Sequence, residues 1–466
     1  MLQRMICCLR GGIAMTKMYI QPSKISGIIK APPSKSMAHK ALFCAALAGG
    51  ECRISNAGVS DDVKATISCL TQLGVIVEYD GNDLIVNGKG LANLNKDKHI
   101  DFQCKRSGAT LRFAVPLAAI LGLDASFFGT GDLPKRSVSE FETIFENTGI
   151  EIYKKDNEII SIRGRFEASR ITVPTSTSPQ FLSGIMIALP YLQKKCEIFL
   201  SDEVPFREYI NPVSFVQKHF GVETVFDSDA RKITVPAKGY DAGNFSVEGD
   251  YSLSAPYLVA GALGDGVTVD NLYSASSQTE RRLINILSDF GANVIQAENF
   301  VSVSRNRTSP IDVDCAEIPH LVPMLAVLAC FAKGKSRLEN CGVTFYRESD
   351  RLHQVCDALT SLGADIEAIG DDLYINGSGS LDGGEAFDFG DHRIAMALSI
   401  AAAFSDGESI VDSDDSVKKS YPAFFSDFMK VGGKRKIPKK KDSFFDAYEE
   451  DDFYEQKNKS GKIYID

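Results

Sequence analysis

Nothing in this sequence approaches the roughly 18 uninterrupted apolar residues that a membrane-spanning helix needs, so no transmembrane segment is expected. CxxC pairs are missing among the 11 cysteines, which removes the commonest zinc and dithiol signatures. Several cysteines, such as Cys44, Cys69 and Cys330, lie inside apolar helical runs instead and read as small buried hydrophobes in a reducing compartment. An excess of positive charge is also lacking. Lys and Arg total 51 against 61 Asp and Glu, and the net charge of −10 argues against nucleic acid or an anionic membrane as the main partner. An anionic small molecule would need a locally basic pocket. A secretory signal is not expected either: MLQRMICCLRGGIAM starts basic, but its apolar patch is short and broken by Arg10 and two glycines. The segment reads as a loose leader, or else the true start is Met15 or Met18, on a cytoplasmic protein.

What the sequence does contain is a repeat. A helix-like segment closes on a glycine, and two short strand-like runs with a turn between them follow. The glycines are Gly74, Gly149, Gly221, Gly291, Gly363 and Gly432, at spacings of 75, 72, 70, 72 and 69 residues. Each suits the position after a helix, where a left-handed backbone costs nothing without a β-carbon. The runs behind them alternate with strand period, as in Val75 and Val77, then Leu84 and Val86. Units of about 70 residues are mixed α/β modules, far longer than a solenoid repeat. Six of them in 466 residues suit two domains of three modules each.

Polar clusters stand immediately before apolar helical runs. In APPSKSMAHKALFCAALAGG the prolines set the entry, Ser34 suits the N-cap, and Lys35 and Lys40 fall near the first turn. Cations beside a positive helix terminus repel each other unless an anion sits there, so this is a candidate phosphate or carboxylate site. The pattern recurs. CKRSGATLRF brings Lys105, Arg106 and Arg112 around Gly108, and LPKRSVSEF brings Lys135 and Arg136. STSPQFLSG offers Ser176, Ser178 and Gln180, with Pro179 at a first helical position. YRESDRL offers Arg347, Glu348, Asp350 and Arg351, GDHRIAMAL offers Asp391, His392 and Arg393, and VKKSYP offers Lys418 and Lys419. Together they match the needs of substrates carrying two phosphates and a carboxylate.

The ordered set SKS, SGxTLRF, SxQFLSG, RESDRL, GDHRIAMAL and KSYP resembles the 3-phosphoshikimate 1-carboxyvinyltransferase (EPSP synthase) family, from about Ile20 to Gly433. The resemblance implies an α/β fold, a two-domain inside-out α/β barrel of βαβαββ-type units. One domain would take residues 19–33 plus 250–433 and the other 34–249, leaving 434–466 as a disordered tail that opens with the basic run KRKIPKKK. It implies transfer of the enolpyruvyl group of phosphoenolpyruvate to the 5-hydroxyl of shikimate 3-phosphate, with no metal, no organic cofactor and a monomeric chain. By resemblance, Lys35 and Glu348 move protons. Lys35, Gly108, Arg136, Gln180, Arg351, His392, Arg393 and Lys419 meet phosphoenolpyruvate. Ser36, Lys40, Ser178, Gln180, Arg207, His320 and Arg347 meet shikimate 3-phosphate.

The donor-side pattern is complete, while the acceptor side departs from it. Lys40 stands where the family has Arg, Pro179 replaces a serine, Arg347 a lysine and Val343 a polar group. Lys105 and Arg106 stand where small, polar or acidic residues are usual. His320 takes the place of an Asp that contacts the acceptor hydroxyls; a neutral imidazole can accept a proton too, so His320 joins the catalytic candidates. Two other readings remain open here: a paralogous enolpyruvyl transferase with another acceptor, and a silent relative that only binds phosphorylated ligands.

Overall fold

The computed structural model describes residues 17–58, 60–154, 157–174, 178–201, 210–344, 351–412 and 415–437. The leader lies outside these residues, as do Arg207, Arg347, Glu348 and the tail beyond Ile437.

All six repeat glycines have positive φ, between 78° and 103°. Each follows a helix: Asp61–Gln72, Glu140–Phe145, Ile210–His219, Leu283–Phe290, Arg351–Thr360 and Phe424–Lys430. At Gly149 a second constraint applies, because a β-carbon would stand 2.4 Å from the carbonyl oxygen of Arg165.

Among the described residues, six four-stranded sheets share one plan: a parallel pair, then two antiparallel neighbours. In one of them Ile100–Gln103 runs parallel to Ala125–Phe128. Ala125–Phe128 pairs antiparallel with Ile160–Gly164, which pairs antiparallel with Ile150–Tyr153. Alternation decides which face is buried: in Asp83–Asn87, Leu84 and Val86 point into the core.

Chain threading divides the sheets in two groups. Ser26–Lys30 pairs with Gly266–Asp270, and Lys17–Gln21 pairs with Ser409–Asp412. Asn244–Ser246 closes onto Glu51–Ser55. Buried apolar side chains accordingly form two clusters, Met18–Ala31 with Tyr251–Val431 in one and Met37–Val247 in the other. The two connecting stretches lie side by side. Pro33 bridges Gly249, the Ser34 N–H donates to Glu248 O at 2.8 Å, and the Asp250 N–H donates to Pro32 O at 2.8 Å.

The basic run does not begin as tail. Lys434–Lys436 is a strand paired with Tyr19–Gln21, and the Arg435 guanidinium lies 4.4 Å from the Phe425 ring centroid. Charge at this position fits a sheet edge, where lysines discourage further pairing. Its composition therefore hid a strand.

Each repeat also holds an inner helix, buried on nearly every face: α1 (Lys35–Leu47), α2 (Gly108–Leu121), α3 (Pro179–Ala188), α4 (Tyr251–Leu263), α5 (Val322–Cys330) and α6 (His392–Phe404). Apolar side chains all round suit such a position, and each fully buried Leu, Ile, Val or Phe stabilises it by about 1.5–3 kcal/mol. No disulfide joins the cysteines among the described residues; eight are buried and Cys356 is half-buried.

Candidate active site

The six inner helices start around a single cleft of about 1210 Å³, counting the part open to solvent. Lys35, Gly108, Gln180, Ser252, His320 and Arg393 line it, each at or just before the start of a different helix. None of the six helices has an acidic residue in its first turn. N–H groups at helix starts favour an anion, and at α1, α4 and α6 the carboxylates of Asp250 and Asp391 already take one or more of them. Ser36, Lys40, Arg136, Ser178 and Lys419 share the lining.

N-caps set these starts. Ser107 Oγ accepts the Thr110 N–H, Ser178 Oγ the Gln180 N–H, and Asp250 Oδ1 the Leu253 N–H. Ser34 departs from expectation. It occupies the N-cap of α1, but its hydroxyl makes no cap bond. Asp250 Oδ2 instead accepts the Lys35 N–H at 3.2 Å. Its longer carboxylate crosses between the connecting stretches and serves two helices.

Lys35 Nζ donates to Asp62 Oδ2 at 2.7 Å and to Ser420 Oγ at 2.9 Å. Burial would raise the Asp62 carboxyl, but the charges of Lys35 and Lys419 outweigh it and hold the carboxyl below its usual range. Lys40 turns back on its own helix, donating to Ser36 Oγ at 2.6 Å and Ser36 O at 3.2 Å. Burial lowers its pKa to about 8 against the opposing pull of Glu280. Next to it His39 is buried, and burial lowers its pKa to about 3. Its Nδ1 meets Thr66 Oγ1 at 2.8 Å, Thr66 meets Thr110 at 2.8 Å, and Thr110 donates to Ser107 Oγ at 2.8 Å. This neutral chain ties α1 to the start of α2.

Around Gly108 the guanidiniums close in. A β-carbon there would fall 2.7 Å from Arg112 Nη1 and 2.8 Å from Arg136 Nη1. Arg112 Nη1 donates to Gln180 Oε1 at 3.2 Å, with its guanidinium 4.8 Å from the Phe181 ring centroid. Arg136 Nε is buried with no hydrogen-bond partner among the described residues. Arg393 Nη1 donates to Ser252 Oγ, and to His320 O at 3.4 Å. His392 lines a second, smaller cavity with Arg136 and Lys419.

Arg351 is the exception among the expected donor residues. It lines neither cavity and is 0% exposed. Its Nε and Nη2 both donate to Asp391 Oδ2, at 2.8 and 2.7 Å, and Asp391 Oδ1 accepts the Arg393 N–H at 2.8 Å. Through Asp391 it fixes the cap of α6.

Asp62, Gln278 and Glu280 also line the cleft and were not singled out in the sequence. Asp62 sits in the first turn of a helix, where acids are ordinary. Glu280 lies in SQTERRL, a polar cluster before another helix, the same signal that marked the other sites. Arg112, from the cluster CKRSGATLRF, lines the cleft as well.

Among the described residues no group of three or more His, Cys, Asp or Glu could hold a metal ion, and no helix is long and apolar enough to cross a membrane. The family model for EPSP synthase (3-phosphoshikimate 1-carboxyvinyltransferase) matches residues 20–428. A protein of Clostridium perfringens (strain 13 / Type A) named 3-phosphoshikimate 1-carboxyvinyltransferase is 38% identical over 422 residues, covering 90% of this chain and 99% of its own. A protein of that name from Clostridioides difficile (strain 630) is 36% identical over 430 residues, covering 90% and 98%. The crystal structure of EPSP synthase from Acinetobacter baumannii superposes with a TM-score of 0.77 at 22% identity, over 91% of this chain and 100% of that one. Its fold is the two-domain inside-out α/β architecture of six repeats. With the six glycine-closed repeats, the cationic cleft and relatives of this identity over nearly their whole length, the chain belongs to the EPSP synthase (3-phosphoshikimate 1-carboxyvinyltransferase) family.

Proposed function

We propose that this chain transfers the enolpyruvyl group of phosphoenolpyruvate to the 5-hydroxyl of shikimate 3-phosphate and releases phosphate, a step toward chorismate and the aromatic amino acids. The observation that carries this reading is the convergence of Lys35, Gly108, Arg136, Gln180, Arg393 and Lys419 on one cleft, in a chain whose relatives are named for that reaction.

The residues fit the chemistry. Arg136, Arg393 and Lys419 supply charge for the carboxylate and phosphate of the donor, and Gly108 keeps the start of α2 open to them. Lys35 delivers a proton to the C3 methylene, with Asp62 and Ser420 orienting its ammonium. The acceptor hydroxyl attacks C2 as it gives up its proton, for which His320 and Glu348 are the candidate bases. The ketal phosphate then loses a methyl proton and its phosphate, which restores the double bond. Residues 19–33 with 250–433, and 34–249, are the domains that flank the cleft, in a monomer acting in the cytoplasm without a cofactor. His320 and Lys40 at the acceptor end favour one second reading, the same transfer to a different hydroxyl.

Phosphate release from phosphoenolpyruvate, measured with shikimate 3-phosphate, with UDP-N-acetylglucosamine and with no acceptor, separates these readings. Release only with shikimate 3-phosphate is expected. Release only with another acceptor selects the second reading, and none with any acceptor selects a silent relative.

A further inference from the structure

The second cavity adjoins the main cleft and shares Arg136 and Lys419 with it. It encloses about 360 Å³, counting the part open to solvent, and its lining includes Arg106, Asp132 and His392. Its two carboxylates are already engaged: Asp132 accepts Lys135 Nζ at 3.0 Å, and Asp391 accepts Arg351. Arg106 differs from them, since its guanidinium makes no hydrogen bond or ion pair with any described residue. Buried Arg136 Nε likewise has no hydrogen-bond partner among the described residues.

The backbone that carries Arg106 is fastened. The Cys104 N–H donates to Phe128 O at 2.8 Å, the Thr130 N–H to Lys105 O at 2.7 Å, and Ser107 caps α2. Lys105 takes a left-handed conformation at φ 51° to make the turn. Gly131, at φ +63°, leaves room for the side chain, because a β-carbon there would stand 3.0 Å from Arg106 Nε. A held turn, a cleared flank and an exposed guanidinium with no partner among the described residues, at the edge of a cavity, suit a ligand contact.

We propose that Arg106 is an additional anion-binding residue of the donor site, taking the phosphoryl group of phosphoenolpyruvate and the inorganic phosphate released from it. The inference rests on the proposed reaction for its ligand, and on the second cavity for its residue. Arg106, Arg136 and Lys419, which all line that cavity, would hold the anion together. Arginine at 106 thereby makes donor affinity more sensitive to salt than a neutral residue would.

The test compares wild type with Arg106→Gln, Arg106→Lys and Lys105→Gln. In Arg106→Gln the KM for phosphoenolpyruvate and the Ki of inorganic phosphate should rise about threefold to tenfold, as for one partly exposed charged contact. The KM for the acceptor and the melting temperature should stay as in wild type. Arg106→Lys should recover part of the loss, and Lys105→Gln should change the donor KM less than about twofold, since a general field effect is weak and screened. A donor KM in Arg106→Gln within twofold of wild type, or an equal change in Lys105→Gln, overturns the proposal. Should wild type prove inactive with every acceptor, the reaction reading fails, and calorimetric titration of inorganic phosphate into the resting protein still decides about Arg106. Weaker binding in Arg106→Gln upholds it; equal binding, or none by wild type at millimolar phosphate, overturns it.

Discussion

Arg351 grips Asp391 through two donors on a single carboxylate oxygen, at 2.8 and 2.7 Å, while the other oxygen caps α6 through the Arg393 N–H. Both side chains are buried, at 0% and 4% exposure. Removing one partner of such a pair leaves a buried charge and typically costs about 3–5 kcal/mol. Arg351→Ala should therefore lower stability by about that much and displace Arg393 from the cleft, with activity falling as well. Arg351→Lys, lacking the planar fork, should recover only part. Chemical denaturation checks this, and a stability change under about 1 kcal/mol would contradict the positioning role.

Lys40 carries a pH signature. An unfolded lysine holds its proton to about 10.4, whereas folded Lys40 releases its own near 8 because it is buried. Between those values the unfolded chain binds more protons, so this group's contribution to stability rises with pH across the window. The charge offered to an acceptor anion does the opposite. Acceptor KM should climb above pH 8, approaching about tenfold per pH unit if binding requires the ammonium. Lys40→Arg should stay flat to beyond pH 9, and parallel profiles for the two proteins would show that Lys40 does not meet the acceptor.

His320 lines the cleft beside Arg393, which bonds its backbone oxygen at 3.4 Å. A neutral imidazole accepts one hydrogen bond, whereas a carboxylate offers two oxygens. His320→Asp should raise kcat/KM for shikimate 3-phosphate by about tenfold, the scale of one charge-assisted hydrogen bond. Equal efficiency in both proteins would remove His320 from the acceptor site. Loss of activity with shikimate 3-phosphate, alongside high wild-type activity with another hydroxyl, would select the different-acceptor reading.

The C-terminal boundary is open to truncation. A chain ending after Ile437 keeps the strand Lys434–Lys436, and one ending after Gly433 loses it with the Arg435–Phe425 contact. The shorter chain should be less stable by about 1–3 kcal/mol, from a few hydrogen bonds at about 0.5–1.5 kcal/mol each. Identical denaturation midpoints would mean that the strand contributes nothing.

Local chemistry made much of this molecule readable from its sequence. The glycine spacing exposed the six repeats because a helix end needs a left-handed residue wherever it falls. Polar clusters such as STSPQ and GDH marked helix starts because N-caps act within three residues. The pairings that finish the site are long-range. Lys35 meets Asp62 and Ser420, and Arg351 meets Asp391, through tertiary contacts that no short window contains. Ser34 misled because Asp250, 215 residues distant in the hydrogen bond to Lys35, took its capping role. Lys434–Lys436 misled because an edge strand pairs through its backbone and needs no apolar alternation.

The reaction itself is tested most directly by proton and phosphorus NMR of one mixture of the protein, phosphoenolpyruvate and shikimate 3-phosphate, without added metal. The expected result is a pair of vinyl methylene protons on a new ether at the 5-oxygen of shikimate 3-phosphate. Inorganic phosphate should appear in step with it, one for one, and Lys35→Ala should form neither at a comparable rate. Phosphate release with no new ether, or an unchanged mixture at high protein concentration while another hydroxyl compound is converted, would contradict the assignment.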